Sequence, residues 1–111
     1  MRVLVSPDSF GGTLSAAQVA DAIARGWLTT CPTDEVICLP ISDGGPGFLD
    51  AITTACGASR VPVVVRDPLG RELPCEFALL DGHAWIESAL AIGLHLLTPD
   101  ERDPAMTSSY G

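Results

Sequence analysis

The chain has 111 residues, 47% hydrophobic and 18% charged, with six basic against fourteen acidic side chains and a net charge of −8. That allows one small domain, or part of something larger, with a real core, and excludes a disordered chain. All the basic residues are arginines; the acidic excess argues against nucleic acid as partner, and no apolar run approaches the roughly 18–20 residues that cross a bilayer.

Arg2 to Ser6 reads as a short buried strand rich in valine and leucine. It stops at Pro7-Asp8-Ser9-Phe10-Gly11-Gly12-Thr13, a polar loop that opens into a helix. Ser15 and Gln18 have the spacing of a capping box, with Leu14 and Val19 placed for a hydrophobic staple. Val19, Ile23 and Trp27 recur every four residues as an apolar stripe expected in the core. Pro32 disfavours helical geometry at Cys31, so the helix should end near Thr30. Glu35 to Ile41 is expected as the second strand, followed by the loop Ser42-Asp43-Gly44-Gly45-Pro46. A helix from about Gly47 to Cys56 presents Leu49, Ile52 and Cys56 on one face and is stopped by Gly57. This β-α-β-α order predicts parallel strands with a right-handed crossover.

The pattern changes near residue 58. Val61, Val63 and Val65 alternate with other residues, Asp67 to Gly70 is a turn, and Leu73, Cys75, Phe77 and Leu79 form a second alternating strand. Asp81-Gly82 is a hairpin signal, returning into a strand over Ala84 to Glu87 and a short helix over Ser88 to Leu97. An antiparallel meander is therefore expected, with a boundary between a unit 1–58 and a second α+β unit 59–111. Cys31, Cys38, Cys56 and Cys75 lack metal-ligand or C-x-x-C spacing and read as reduced, buried thiols. With only a short apolar stretch before Asp8, no signal peptide is read, and a cytoplasmic location is expected.

Two strand–loop–helix units suggest a site for a small, oxygen-rich ligand, because such loops present N–H groups and carboxylates at the carboxyl edge of a parallel sheet. Ser6-Pro7-Asp8-Ser9-Phe10, Gly12-Thr13-Leu14-Ser15-Ala16 and Leu39-Pro40-Ile41-Ser42-Asp43-Gly44-Gly45 resemble the opening of the ATP-dependent bacterial glycerate kinase family. The likeness continues through Pro68-Leu69-Gly70-Arg71, Trp85-Ile86-Glu87-Ser88-Ala89, Gly93-Leu94 and Thr107-Ser108-Ser109-Tyr110-Gly111. It implies a flavodoxin-like domain beside a distinct α+β domain, with ATP and Mg²⁺ as cofactors and D-glycerate as substrate. The product would be a phosphoglycerate, usually the 2-phosphate. The chain departs from the family pattern at Gly11, where a lysine is usual, and at Pro46, where a glutamate is usual.

The resemblance points to Asp8 and Asp43 as catalytic residues, facing one cleft. Each suits orientation or deprotonation of a hydroxyl, or contact with Mg²⁺; the plainer reading of each is a turn aspartate. Ser9, Gly11, Gly12, Gly44, Gly45 and Glu87 are the expected substrate-binding residues. The glycines also serve tight backbone geometry, and Glu87 belongs either on a solvent face or in the cleft. Arg71, His83 and His95 read as surface or structural residues. No P-loop or G-x-G-x-x-G fingerprint occurs, so most of a nucleotide site would come from elsewhere.

The match covers about the first third of family members, so an N-terminal fragment is expected, inactive by itself, with self-association through an apolar edge. The alternatives are a non-catalytic remnant and a small organic-acid-binding module.

Overall fold

The computed structural model describes residues 1–111 as a mixed α/β protein with two separate sheets. Strand β1 (Arg2–Val5), helix α1 (Ala16–Thr30) and strand β2 (Glu35–Cys38) form a parallel β-α-β unit. Arg2 lies opposite Glu35 and Val5 opposite Cys38. β2 is shorter than expected, since Pro40 has no N–H to donate. Its backbone contacts nevertheless continue: the Leu39 N–H donates to the Val5 carbonyl (2.8 Å) and the Ile41 N–H to the Pro7 carbonyl (3.0 Å).

α1 begins and ends where its local signals place it. The Ser15 N–H donates to Gln18 Oε1 (2.8 Å) and the Gln18 N–H to Ser15 Oγ (3.3 Å), completing the capping box. Its buried face is made by Ala16, Val19, Ala20 and Ala24. The expected Val19-Ile23-Trp27 stripe is thus corrected: Ile23 is 46% and Trp27 37% exposed. Alanines four residues apart let the helix lie close on a sheet only two strands wide, which leaves no surface for the bulkier side. Trp27 instead donates Nε1–H to Asp34 Oδ2 (3.0 Å), while Asp34 Oδ1 meets the N-terminal ammonium at 2.7 Å.

Helix α2 (Phe48–Cys56) ends on left-handed Gly57. Strands β3 (Ser59–Arg66), β4 (Glu72–Leu80) and β5 (His83–Trp85) form the antiparallel meander in that order. Asp81 and Gly82 turn the β4–β5 hairpin with φ of +49° and +76°, the paired left-handed geometry of a type I′ turn. Leu73, Cys75 and Phe77 are only half-buried, and Leu79 is exposed. The fully buried position of β4 is Ala78, on the opposite face, where α2 lies. Leu49 of α2, Ala58 and Ala78 form the tightest cluster, flanked by Phe48, Ile52, Leu80 and Leu90. It draws on residues from both sides of position 58.

β5 stops before Ile86, placing Glu87 outside the sheet. The helix expected over 88–97 is split: α3 (Ala89–Ile92) ends at extended Gly93, and 3₁₀ turns follow at Leu94–Leu96 and Pro99–Glu101. The cysteines are free thiols as expected but not buried; Cys38 and Cys56 are exposed and Cys31 and Cys75 half-buried. Sheets of only two and three strands leave such positions without a full covering layer. Only 14 of 111 residues are buried. The radius of gyration, 17.3 Å, exceeds the roughly 13 Å of a compact chain of this length. No helix is long and apolar enough to cross a membrane.

Candidate functional site

Two loops leave the carboxyl ends of β1 and β2, and the Ile41–Pro7 backbone hydrogen bond holds them side by side. The first closes on itself. Phe10 N–H donates to the Leu14 carbonyl (3.0 Å), and the Phe10 carbonyl accepts from Thr13 N–H (2.9 Å), Leu14 N–H (3.2 Å) and Thr13 Oγ1 (2.8 Å). Gly11 and Gly12 form the exposed tip, and their N–H groups donate to no protein acceptor. Gly12 has a φ of +76°, whereas a Cβ on Gly11 would meet nothing within 4 Å.

Asp8 is exposed, with Oδ1 accepting the Ser9 N–H at 2.6 Å. Ser9 is half-buried and, with Ser15, Pro40 and Gly47, lines a cavity of about 20 Å³ where the starts of α1 and α2 meet. In the second loop Asp43 is exposed and its Oδ1 accepts the Gly45 N–H at 2.9 Å. The Gly44 N–H donates to Ser42 Oγ at 3.2 Å. Left-handed φ values at Gly44 (+95°) and Gly47 (+96°) shape the approach to α2, a geometry that side chains with a Cβ resist.

Asp8 and Asp43 therefore occupy neighbouring strand ends, each with a second carboxylate oxygen free of protein hydrogen bonds. No group of three His, Cys, Asp or Glu side chains is close enough to hold a metal ion. Mg²⁺ is typically held by one or two carboxylates together with waters and substrate phosphates, and Asp8 and Asp43 are the exposed carboxylates of these two loops. The N–H groups of Gly11 and Gly12, like those of Asp8, Ser42 and Asp43, have no protein acceptor.

Glu87 is brought to the second loop but not to its open side. It is 4% exposed. Oε1 accepts the Gly47 N–H (3.1 Å) and Oε2 the Leu49 N–H (2.9 Å), at the start of α2. Gly47 caps α2 without a side chain, so the helix start needs an acceptor from elsewhere, but nothing local in the sequence names Glu87 as that acceptor. Arg60, not singled out from sequence, binds Asp50 of α2 and Glu76 of β4, with Thr53 Oγ1 at 3.3 Å. These bonds raise the Arg60 pKa, Asp50 contributing most.

Arg71 lies away from the loops and ties the β3–β4 turn to the following 3₁₀ turns through Asp67, Glu101 (2.8 Å) and the Leu96 carbonyl. Burial pushes the Asp67 carboxyl up, but the Arg71 guanidinium and the N–H groups of Arg71 and Leu69 outweigh it and leave the pKa lowered. His83 and His95 are both exposed, and His83 Nδ1 lies 3.0 Å from the Asp81 carbonyl.

The protein-family model described as the glycerate kinase family matches residues 3–111. The chain belongs to the glycerate kinase family. Similar family proteins include the glycerate kinase of Bacillus subtilis strain 168, 38% identical over 113 residues, and the glycerate 2-kinase of Escherichia coli K12, 35% identical. In both cases the whole chain is covered and 30% of the relative. A crystal structure attributed to glycerate kinase 2 of Salmonella typhimurium LT2 superposes with a TM-score of 0.84 at 37% identity, over all of this chain and 30% of that one. The chain thus spans about 30% of the length of its glycerate kinase relatives.

Proposed function

We propose that the chain supplies the acidic, N–H-bearing half of a glycerate kinase site that transfers the ATP γ-phosphoryl group to D-glycerate, giving 2-phosphoglycerate. The observation carrying this reading is the hydrogen-bonded pair of loops that sets Asp8 and Asp43 on neighbouring strand ends. One of these carboxylates orients the attacking glycerate hydroxyl and accepts its proton; the other faces the cation. Mg²⁺, when bound, neutralises phosphate charge. Gly11 and Gly12 donate N–H bonds to anionic oxygens, and Ser9, Gly44 and Gly45 shape the substrate side. Nucleotide contacts come mainly from outside these 111 residues. In this reading β1-α1-β2 is the start of a flavodoxin-like domain, residues 59–111 open a second α+β domain, and the enzyme works in the cytoplasm. The exposed Leu4 and Ile37, paired across the small parallel sheet, with Leu39 and Ile41 just beyond it, form the apolar surface through which the chain self-associates.

A chimera tests this, with the chain replacing the matched segment of the Bacillus subtilis glycerate kinase. ADP release dependent on D-glycerate, ATP and Mg²⁺ is expected, together with loss of at least about a hundredfold in Asp8→Asn or Asp43→Asn, the scale of a general-base contribution. An inactive chimera that Gly11→Lys does not restore would sink the kinase reading. A second reading, ligand binding without turnover, is favoured by Gly11 at the open loop tip, where no cation stands to meet phosphate. Restoration by Gly11→Lys would select it for the chain as it stands.

A further inference from the structure

We infer that Glu87 is a positioning residue that fixes the Asp43 loop by holding the start of α2, and that it does not touch the substrate; this rests on the kinase reading above. A carboxylate buried to 4% exposure requires compensation, and no arginine forms a salt bridge with it. Its compensation is the Gly47 and Leu49 N–H groups, one on each oxygen. These are unpaired donors at the positive end of a helix dipole, and hydrogen bonds to an ionised acceptor are the strong kind.

The rest of the loop is held only loosely. Gly44 and Gly45 bond to side chains within the loop, and Phe48 N–H donates to the Gly45 carbonyl. Its backbone ties outward are the Ile41–Pro7 bond at one end and Glu87 at the other. Removing Glu87 frees the segment Ser42–Gly47, and with it Asp43. The same carboxylate occupies the Gly47 and Leu49 N–H groups, so neither is free for an anionic ligand.

The test uses the ¹⁵N-labelled full chain with ¹³C-labelled glutamate. In the wild type, Gly47 and Leu49 amides should exchange slowly with solvent, and D-glycerate should shift the Asp8–Gly12 and Asp43 resonances while leaving the Glu87 carboxylate signal in place. Glu87→Gln keeps the shape but loses the charge. It should lower protection at Gly47 and Leu49 by about tenfold or more, the equivalent of one charge-assisted hydrogen bond. It should move the Asp43–Gly45 resonances, weaken D-glycerate binding, and leave protection of Val19–Ala24 unchanged.

A Glu87 carboxylate signal that follows D-glycerate saturation would overturn the inference in favour of direct substrate contact. Equal loss of protection in α1 and α2 would also overturn it, leaving Glu87 as a general stabiliser. If Glu87→Gln does not fold, the wild-type amides and carboxylate signal decide by themselves. The expected amide pattern with no D-glycerate response in the wild type supports the hold of Glu87 on the loop and overturns D-glycerate binding by these 111 residues alone, while the kinase reading stands or falls with the chimera.

Discussion

Gly11 and Gly12 are neighbours with different constraints. A side chain at Gly11 enters open space, whereas Gly12 sits at a φ of +76°. Gly11→Lys should therefore leave the urea midpoint essentially unchanged and strengthen binding of inorganic phosphate. Gly12→Ala should cost about 1–2 kcal/mol from left-handed backbone strain, read as a lower midpoint with unchanged slope. At this scale the sequence is legible where the partner is near. Ser15 and Gln18 are three residues apart, and their reciprocal bonds follow from that spacing. Glu87 finds its partners 38 and 40 residues away, and no local pattern encodes that reach.

Among the elements, α2 joins the two sheets' neighbourhoods. Leu49 is 1% exposed and meets Ala58 and Ala78. Leu49→Ala should cost about 2–5 kcal/mol by lost burial and cavity formation, while Ile23→Ser on the open side of α1 should stay within about 0.5 kcal/mol. Chemical denaturation of both variants checks the assignment of the buried faces. Ser15→Ala should cost about 1 kcal/mol through the lost cap. The limits of α1 and α2 and the hairpin at Asp81-Gly82 were readable because caps, proline and paired left-handed residues act locally. The choice of buried face was not. It depends on the surface that packs against the helix, and two parallel strands favour an alanine seam over Ile23 and Trp27.

For the whole molecule, acid sensitivity follows from carboxylates held low. Glu101 is lowered by the Thr98 N–H and then by Arg71, and Asp34 by the N-terminal ammonium and then Trp27. With Asp67 also lowered, each has a folded-state pKa below its unfolded value. Their stabilisation is fully present above the ordinary carboxylate range near about 4 and is lost as pH falls through the depressed values. Below about pH 4, the 94–101 amides should lose protection, and the fluorescence of Trp27 should change as Asp34 is protonated. Arg71→Ala should remove part of the acid dependence in the 94–101 segment, the Thr98 N–H keeping the rest, and none at Trp27. With 14 of 111 residues buried, the chain should bind a hydrophobic dye or sediment as more than a monomer; a dye-silent monomer would defeat the self-association proposal. The order of parallel and antiparallel segments was legible from the strand–helix alternation and the turn signals. The open overall form was not, because it reflects which surfaces find a partner.

The Glu87 contact with the start of α2 also has a consequence in time. The Phe10–Leu14 loop and the Ser15–Gln18 cap close over a few residues, so they can form as soon as that stretch of chain exists. The acceptor for Gly47 and Leu49 arrives 40 and 38 residues later, and closing that distance carries an entropic cost that local closure avoids. The two halves of the site are thus completed in order, Asp8 side first and Asp43 side last. A nascent chain stopped before residue 87 would carry the first loop in its final form and the second still searching.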